Sequence, residues 1–257
     1  RKIAGRAADI KTTGLVALNS VLLTDGFALR VTNSHQQHRP IQLIFLTSDK
    51  FCGEIHNRIT IEIEENSNAT ICETHGAIGN GTGLCNYVME ILVGKNALLR
   101  YVVHQQAAKK INHIVARAGR IDQDAKFIGF SMLEGGVLSR SETTLSLTGV
   151  GSEAKLSGIA LMRGRQHCDV TTDIMHEVSR CNSEQVFKNV IDGHGRAVFQ
   201  GRVYVAQDAQ VTEAHQLNRN LLLSKNARAD SKPELIIHAD DVKCSHGATV
   251  GDLDEDA

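Results

Sequence analysis

The 257-residue sequence predicts a mainly β protein, a parallel β-helix, and three observations carry that expectation. Short alternating runs such as Gly201-Arg202-Val203-Tyr204-Val205 and Thr144-Leu145-Ser146-Leu147 have the two-residue period of strands. Only two prolines, Pro40 and Pro233, interrupt the chain, while 22 glycines punctuate it. An alanine preceded by Asn, Asp or Glu recurs at Ala69, Ala97, Ala125 and Ala154, in steps of 28, 28 and 29 residues. A fixed period of this length marks a repeat architecture.

Two residues beyond each of these alanines stands an apolar side chain: Ile71, Leu99, Phe127 and Leu156. Positions i and i+2 of a strand share a face, so alanine and apolar residue both point inward and successive coils stack them into one column. Ala197 with Phe199, Ala209 with Val211 and Ala248 with Val250 continue the column at less even spacing. Intervening residues such as Lys126 and Lys155 face outward, where charge is tolerated, whereas inward positions exclude it. The coil is too long for a hexapeptide-repeat helix, and the signatures of propeller blades are missing. An antiparallel sandwich with chance alanines is the plainer alternative. The only helical periodicity lies around Val186 to Ile191. Residues 1–251 form one core domain, whose open ends need caps because each is a row of unpaired strand edges.

Composition narrows the function. The chain is 42% hydrophobic, enough for a sizeable core, and its formal charge of −1 gives no field to attract nucleic acid or an anionic membrane surface. No apolar run approaches the roughly 20 residues that cross a bilayer, and Arg1-Lys2-Ile3-Ala4 does not open a signal peptide. Cys52, Cys72, Cys85, Cys168, Cys181 and Cys244 are irregularly spaced without a C-x-x-C pair, which reads as reduced thiols in a cytoplasm. Gly79-Asn80-Gly81-Thr82-Gly83 is not a dinucleotide fingerprint, no phosphate-binding loop exists, and no nucleophile elbow surrounds a serine. The chain is therefore expected not to be an enzyme. A β-helical carbohydrate-active enzyme is the natural competitor, but it would need aromatics for sugar stacking, and here Trp is absent and aromatics are 4%. A purely structural interaction protein is the other.

Two constellations bear metal-ligand chemistry. Within Glu234–Gly251, an extended chain puts Val242, Cys244 and His246 on one face, with the last two Cα atoms roughly 6.6 Å apart at strand rise. Thiolate and imidazole at that separation both reach a metal or cluster. The neighbouring Lys243, or protonated His246, would assist thiolate formation. Spacing alone favours the plainer reading, a small buried cysteine and a hydrogen-bonded histidine. The second group, His167, Cys168, Asp169, Asp173, His176 and Cys181, fits no zinc spacing and reads as satisfied polar groups at coil corners.

Four strings then identify a resemblance: Gly164-Arg-Gln-His167; Asp192-Gly193 with Arg196-Ala-Val-Phe-Gln-Gly-Arg202; Ala214-His-Gln-Leu-Asn-Arg-Asn-Leu-Leu-Leu-Ser224; and Ala239-Asp-Asp-Val-Lys-Cys-Ser-His-Gly-Ala-Thr-Val-Gly251. They closely resemble the SufD family of the SUF iron–sulfur cluster machinery, strongly over about a third of the chain. The resemblance implies a right-handed parallel β-helix that pairs with SufB, both subunits being gripped by the SufC ATPase; an isolated chain could pair with itself. It implies no permanently bound cofactor, and transient iron or a nascent cluster at the partner interface, supported by His246 and Cys244. Family members continue into a helical segment that docks SufC. This chain stops at Asp254-Glu255-Asp256-Ala257, so helical terminal segments are expected to be absent or truncated, with only the start of one at 252–257.

Overall fold

The computed structural model describes residues 5, 7–8, 13–33 and 39–252. Helix α1 (Gly14–Val21) precedes β1 (Asp25–Val31), β2 (Ile41–Ser48), β3 (Cys52–Ile63), β4 (Asn68–Ile78), β5 (Thr82–Val93), β6 (Leu98–Gln105), β7 (Lys110–Ile121) and β8 (Lys126–Leu133). There follow β9 (Leu138–Leu147), β10 (Glu153–Met162), β11 (His167–His176), β12 (Asn182–Ile191), β13 (Arg196–Val205), β14 (Thr212–Leu222), β15 (Arg228–Ile237) and β16 (Val242–Asp252). Odd-numbered strands build one eight-stranded sheet and even-numbered strands another. Every pairing is parallel, so each coil contributes one strand to each sheet and the chain winds as a parallel β-helix. The core is the space between the sheets. Val186–Ile191 belongs to β12, where tertiary pairing overrides the weak helical period. No helix among the described residues is long and apolar enough to cross a membrane, and the six cysteines are free.

One corner explains the repeat. Between an odd strand and the next even one the chain turns through a residue with positive φ: Asn66, Asn96, Asp124, Gly151, Arg180 and Val211, at 58°, 55°, 53°, 76°, 61° and 60°. Gly enters this left-handed region at least cost because it has no Cβ to clash, and Asn and Asp offset the clash through local hydrogen bonds of a short polar side chain. The next residue turns inward and must be small: Ser67, Ala97, Ala125, Ser152, Cys181 and Thr212 are all buried. Backbone bonds tie one corner to the next, as from Asn66 N–H to the Lys95 carbonyl (2.8 Å) and from Asn96 N–H to the Gln123 carbonyl (2.9 Å).

Ile71, Leu99, Phe127 and Leu156 are all buried, as the period predicts, yet they fill two columns. Ala69, Leu99, Phe127 and Ala154 are register partners, and Ile71, Tyr101, Gly129 and Leu156 form the adjacent column. The slip arises because coil length varies within the even-numbered sheet, from 27 residues between Phe127 and Ala154 to 31 between Ser183 and Ala214. Ala69 and Ala154 lie inside strands, two residues beyond the true corner positions Ser67 and Ser152. The later continuation also changes. Ala197 and Phe199 are buried in the other sheet, on β13; Val211 is the exposed corner residue, and Ala248 and Val250 are exposed on the terminal strand. Val211, β-branched and left-handed, is strained by about 1–2 kcal/mol. Val211→Asn is therefore expected to stabilise the fold by about 1 kcal/mol, read as a raised urea midpoint.

α1 lies over the outer face of the odd sheet rather than across an open end of the coil. Its Thr13 cap accepts from Val16 N–H at 3.2 Å, and the buried Asn19 amide donates to the carbonyls of Asn57 and Asn86 at 3.1 and 3.0 Å. β16 and β15 are the last strands of their sheets among the described residues. Asp252 closes β16 as strand, and 253–257, where the start of a helical segment is expected, lie outside the described residues.

Candidate functional site

β16 runs parallel to β14 in the register Ala214–Cys244, Gln216–His246 and Asn218–Ala248. Ala214, Gln216 and Asn218 are buried and point inward, so Cys244 and His246 lie on the inward face of the last strand. Two neighbours on one face with a two-residue spacing is the arrangement the sequence predicts. Cys244 is half-buried and packs against the hydrophobic core, whereas His246 is exposed because beyond β16 no further described strand closes the coil. Burial pushes the Cys244 thiol above its usual range, opposed by a hydrogen bond from Ala214 backbone. The resting group at neutral pH is a thiol, which must lose its proton to bind metal.

Lys243 stands on the opposite face. Strand alternation turns it outward, where its Nζ pairs with Glu213 Oε1 at 3.0 Å, a contact that raises its pKa. Its charge is thereby directed to Glu213, not to the Cys244 sulfur. The same outer face holds His215 Nδ1 and Ser245 Oγ 2.7 Å apart.

The second constellation is divided by the same alternation. Cys168 is inside β11, buried against Ser139 and Ala197 in register, and burial pushes its thiol up to about 12. His176 is also inside; its Nε2 meets Ser183 Oγ at 2.8 Å and burial lowers its pKa to about 4. Cys181 fills a corner, 3.3 Å from Ser152 Oγ. Asp169 and Asp173 face outward, where Asp169 pairs with Arg140 at 2.6 Å and Asp173 with Arg202, while His167 is half-exposed. Among the described residues no three His, Cys, Asp or Glu side chains gather as a metal site.

Sequence reasoning missed a polar interior. Glu73, His75, Tyr101 and Arg117 are buried between the sheets, contrary to the expectation that inward positions exclude charge. Arg117 Nη2 and His75 Nε2 each meet Glu73 Oε1 at 2.5 Å, and Tyr101 O–H donates to Oε2 at 2.5 Å. Arg117 reaches on to Ser141 Oγ at 3.1 Å. Although burial opposes ionisation, the Arg117 guanidinium and the His75 bond hold the Glu73 carboxyl well below its usual range. Charge is tolerated inside because it is paired and hydrogen-bonded. Nearer the terminal strand the inward residues turn neutral and polar: Gln185, Asn189, Gln216, Asn218 and Asn220. Their inward phase was legible from Ala214, since Gln216, Asn218 and Asn220 follow it at even spacing.

Comparison with known proteins places the chain in a family. Residues 45–257 match the family described as "SUF system FeS cluster assembly, SufBD core domain". The chain is 33% identical over 248 residues to the iron-sulfur cluster assembly SufBD family protein slr0076 of Synechocystis sp., covering 93% of this chain and 55% of that protein. It is 32% identical over 242 residues to the iron-sulfur cluster assembly protein SufD of Escherichia coli, covering 91% and 57%. With SufD of Bacillus subtilis the identity is 28% over 246 residues, covering 93% and 55%. The chain thus spans a little over half the length of these curated relatives. Matched across most of its length by the SufBD core description, and wound as a β-helix from β1 to β16, the chain belongs to the SufB/SufD family of iron–sulfur cluster assembly proteins.

Proposed function

We propose that this chain is the core of a SufD-type scaffold subunit that acts in the cytoplasm, pairs with SufB, works with the SufC ATPase and has no turnover of its own. Iron or a nascent cluster is cargo, held for a time at the subunit interface. The observation that carries this reading is the placement of Cys244 and His246 side by side on the inward face of the last described strand, where His246 is open to a partner. One thiol and one imidazole make half of a four-coordinate site, so a partner or inorganic sulfide supplies the rest. The raised thiol pKa of Cys244 fits a ligand that is engaged only when metal arrives and displaces its proton. The SufD name of the Escherichia coli and Bacillus subtilis relatives supports the same role.

The test is to tag the full-length protein in its native cell and purify it gently. SufB and SufC are expected to accompany it in fixed proportion, and iron and acid-labile sulfide to be carried by the assembly in greater amount than by the subunit alone. Recovery of the protein free of both partners would contradict the reading.

A further inference from the structure

Gln216 is out of keeping with the strand that carries it. It is 3% exposed, and neither its Oε1 nor its Nε2 has a hydrogen-bond partner. Its neighbours on the same inward face are engaged: Asn218 donates to the Phe187 carbonyl at 3.2 Å and accepts from Asn220 at 2.7 Å, and Asn220 also reaches the Thr249 carbonyl at 3.1 Å. Nor does Gln216 join a glutamine ladder with its register partner Gln185, whose Oε1 accepts from Thr172 at 2.5 Å and whose Nε2 is also unpartnered. Its Nε2 lies across the core beside Gly201, where an added Cβ would stand 2.7 Å from the Phe199 ring and 3.1 Å from the amide nitrogen. A buried amide with both ends unmade costs free energy, so Gln216 calls for a partner that the chain's own described residues do not supply. The residue in register with it on the open side is His246.

Adjacent strands lie about 4.8 Å apart, less than the reach of either side chain, so a rotamer change brings imidazole and carboxamide together. A metal-binding histidine characteristically donates its other ring N–H to a carbonyl or carboxylate, which fixes the tautomer and the ring's orientation. We propose that Gln216 is a positioning residue for His246: its Oε1 accepts the imidazole N–H once the open face is covered, and the unprotonated second nitrogen is presented to iron. This rests on the cluster-assembly reading above and adds to it the inner wall of the site.

The test uses full-length protein in its assembled complex, with Gln216→Leu, Gln216→Met and, beside them, His246→Ala. Three quantities are read: melting temperature, Co(II) affinity followed by thiolate-to-cobalt absorption, and activity of a cluster-dependent enzyme in cells relying on this system. Removing the two unmade polar ends should leave the melting temperature of at least one Gln216 variant unchanged or raised, while Co(II) affinity and cluster-dependent activity each fall about 10-fold or more. A merely structural glutamine would not give these opposite signs. Full Co(II) affinity and activity in both Gln216 variants, with His246→Ala defective, overturns this inference alone. A harmless His246→Ala overturns the assembly reading and this inference with it. Absence of the cobalt–thiolate band in the wild-type complex, or a lowered melting temperature in both Gln216 variants, also overturns the positioning role.

Discussion

Replacing Phe127 with alanine is expected to cost about 3–5 kcal/mol, enough to unfold a large share of a marginally stable chain. Phe127 is 2% exposed and lies between Leu99 and Ala154 in its column, with the Tyr101 ring stacked at 6.2 Å. The deleted ring leaves a cavity that the coils above and below cannot close, because their own register is held by ladders on both sides. Because each coil is stabilised by its neighbours, the loss should spread to adjacent coils, visible as faster hydrogen exchange in β6 and β10 as well as β8. The measurement is a denaturant midpoint; a loss below about 1 kcal/mol would contradict the burial that defines this column.

Arg117→Met is expected to be of similar size, about 3–5 kcal/mol, for a different reason. It strands the Glu73 carboxylate, fully buried, with only His75 and Tyr101 as partners. The pH dependence should change sign at this residue. In the parent, the Glu73 pKa is lowered, so its stabilisation is present above the unfolded carboxylate pKa and is lost as pH falls. Without the guanidinium, burial dominates and the pKa rises, so the carboxyl's contribution is lost as pH increases. The variant's deficit should therefore be smaller near pH 5 than near pH 8. Glu73→Leu combined with Arg117→Met should recover part of the loss, since no unpaired charge remains. A deficit that is independent of pH, or equal in the single and double variants, would contradict the paired-charge account.

Strand content and winding were legible because both follow from local pattern: two-residue alternation inside strands and a near-regular return to the same corner. Register was less legible. The spacing rule took alanine as the marker, but the corner demands a left-handed residue followed by any small one, and Ser67, Ser152, Cys181 and Thr212 meet that demand as well as Ala97 and Ala125. Arg180 and Val211 hide the corner entirely, because neither residue type favours positive φ and the coil imposes it. Glu73 and Arg117 escaped notice because they are distant in sequence, and only the closed coil brings them together. The phase of Cys244 and His246 was legible from strand period alone. Lys243 was not, since its proximity in sequence is undone by the alternation that sends it to Glu213.

If the open inward face of β16 serves assembly rather than folding, His246→Ala separates the two roles. His246 is exposed on β16, the last strand among the described residues, so its truncation should change stability by no more than about 0.5 kcal/mol. The measurement is rescue of cluster-dependent growth by full-length His246→Ala in a strain relying on the SUF system, with Cys244→Ala beside it and with folding and SufB pairing verified for each. Loss of rescue by a folded, paired His246→Ala protein is the predicted result. Full rescue by that variant would rule out a part for His246 in assembly and return it to the role of a surface residue.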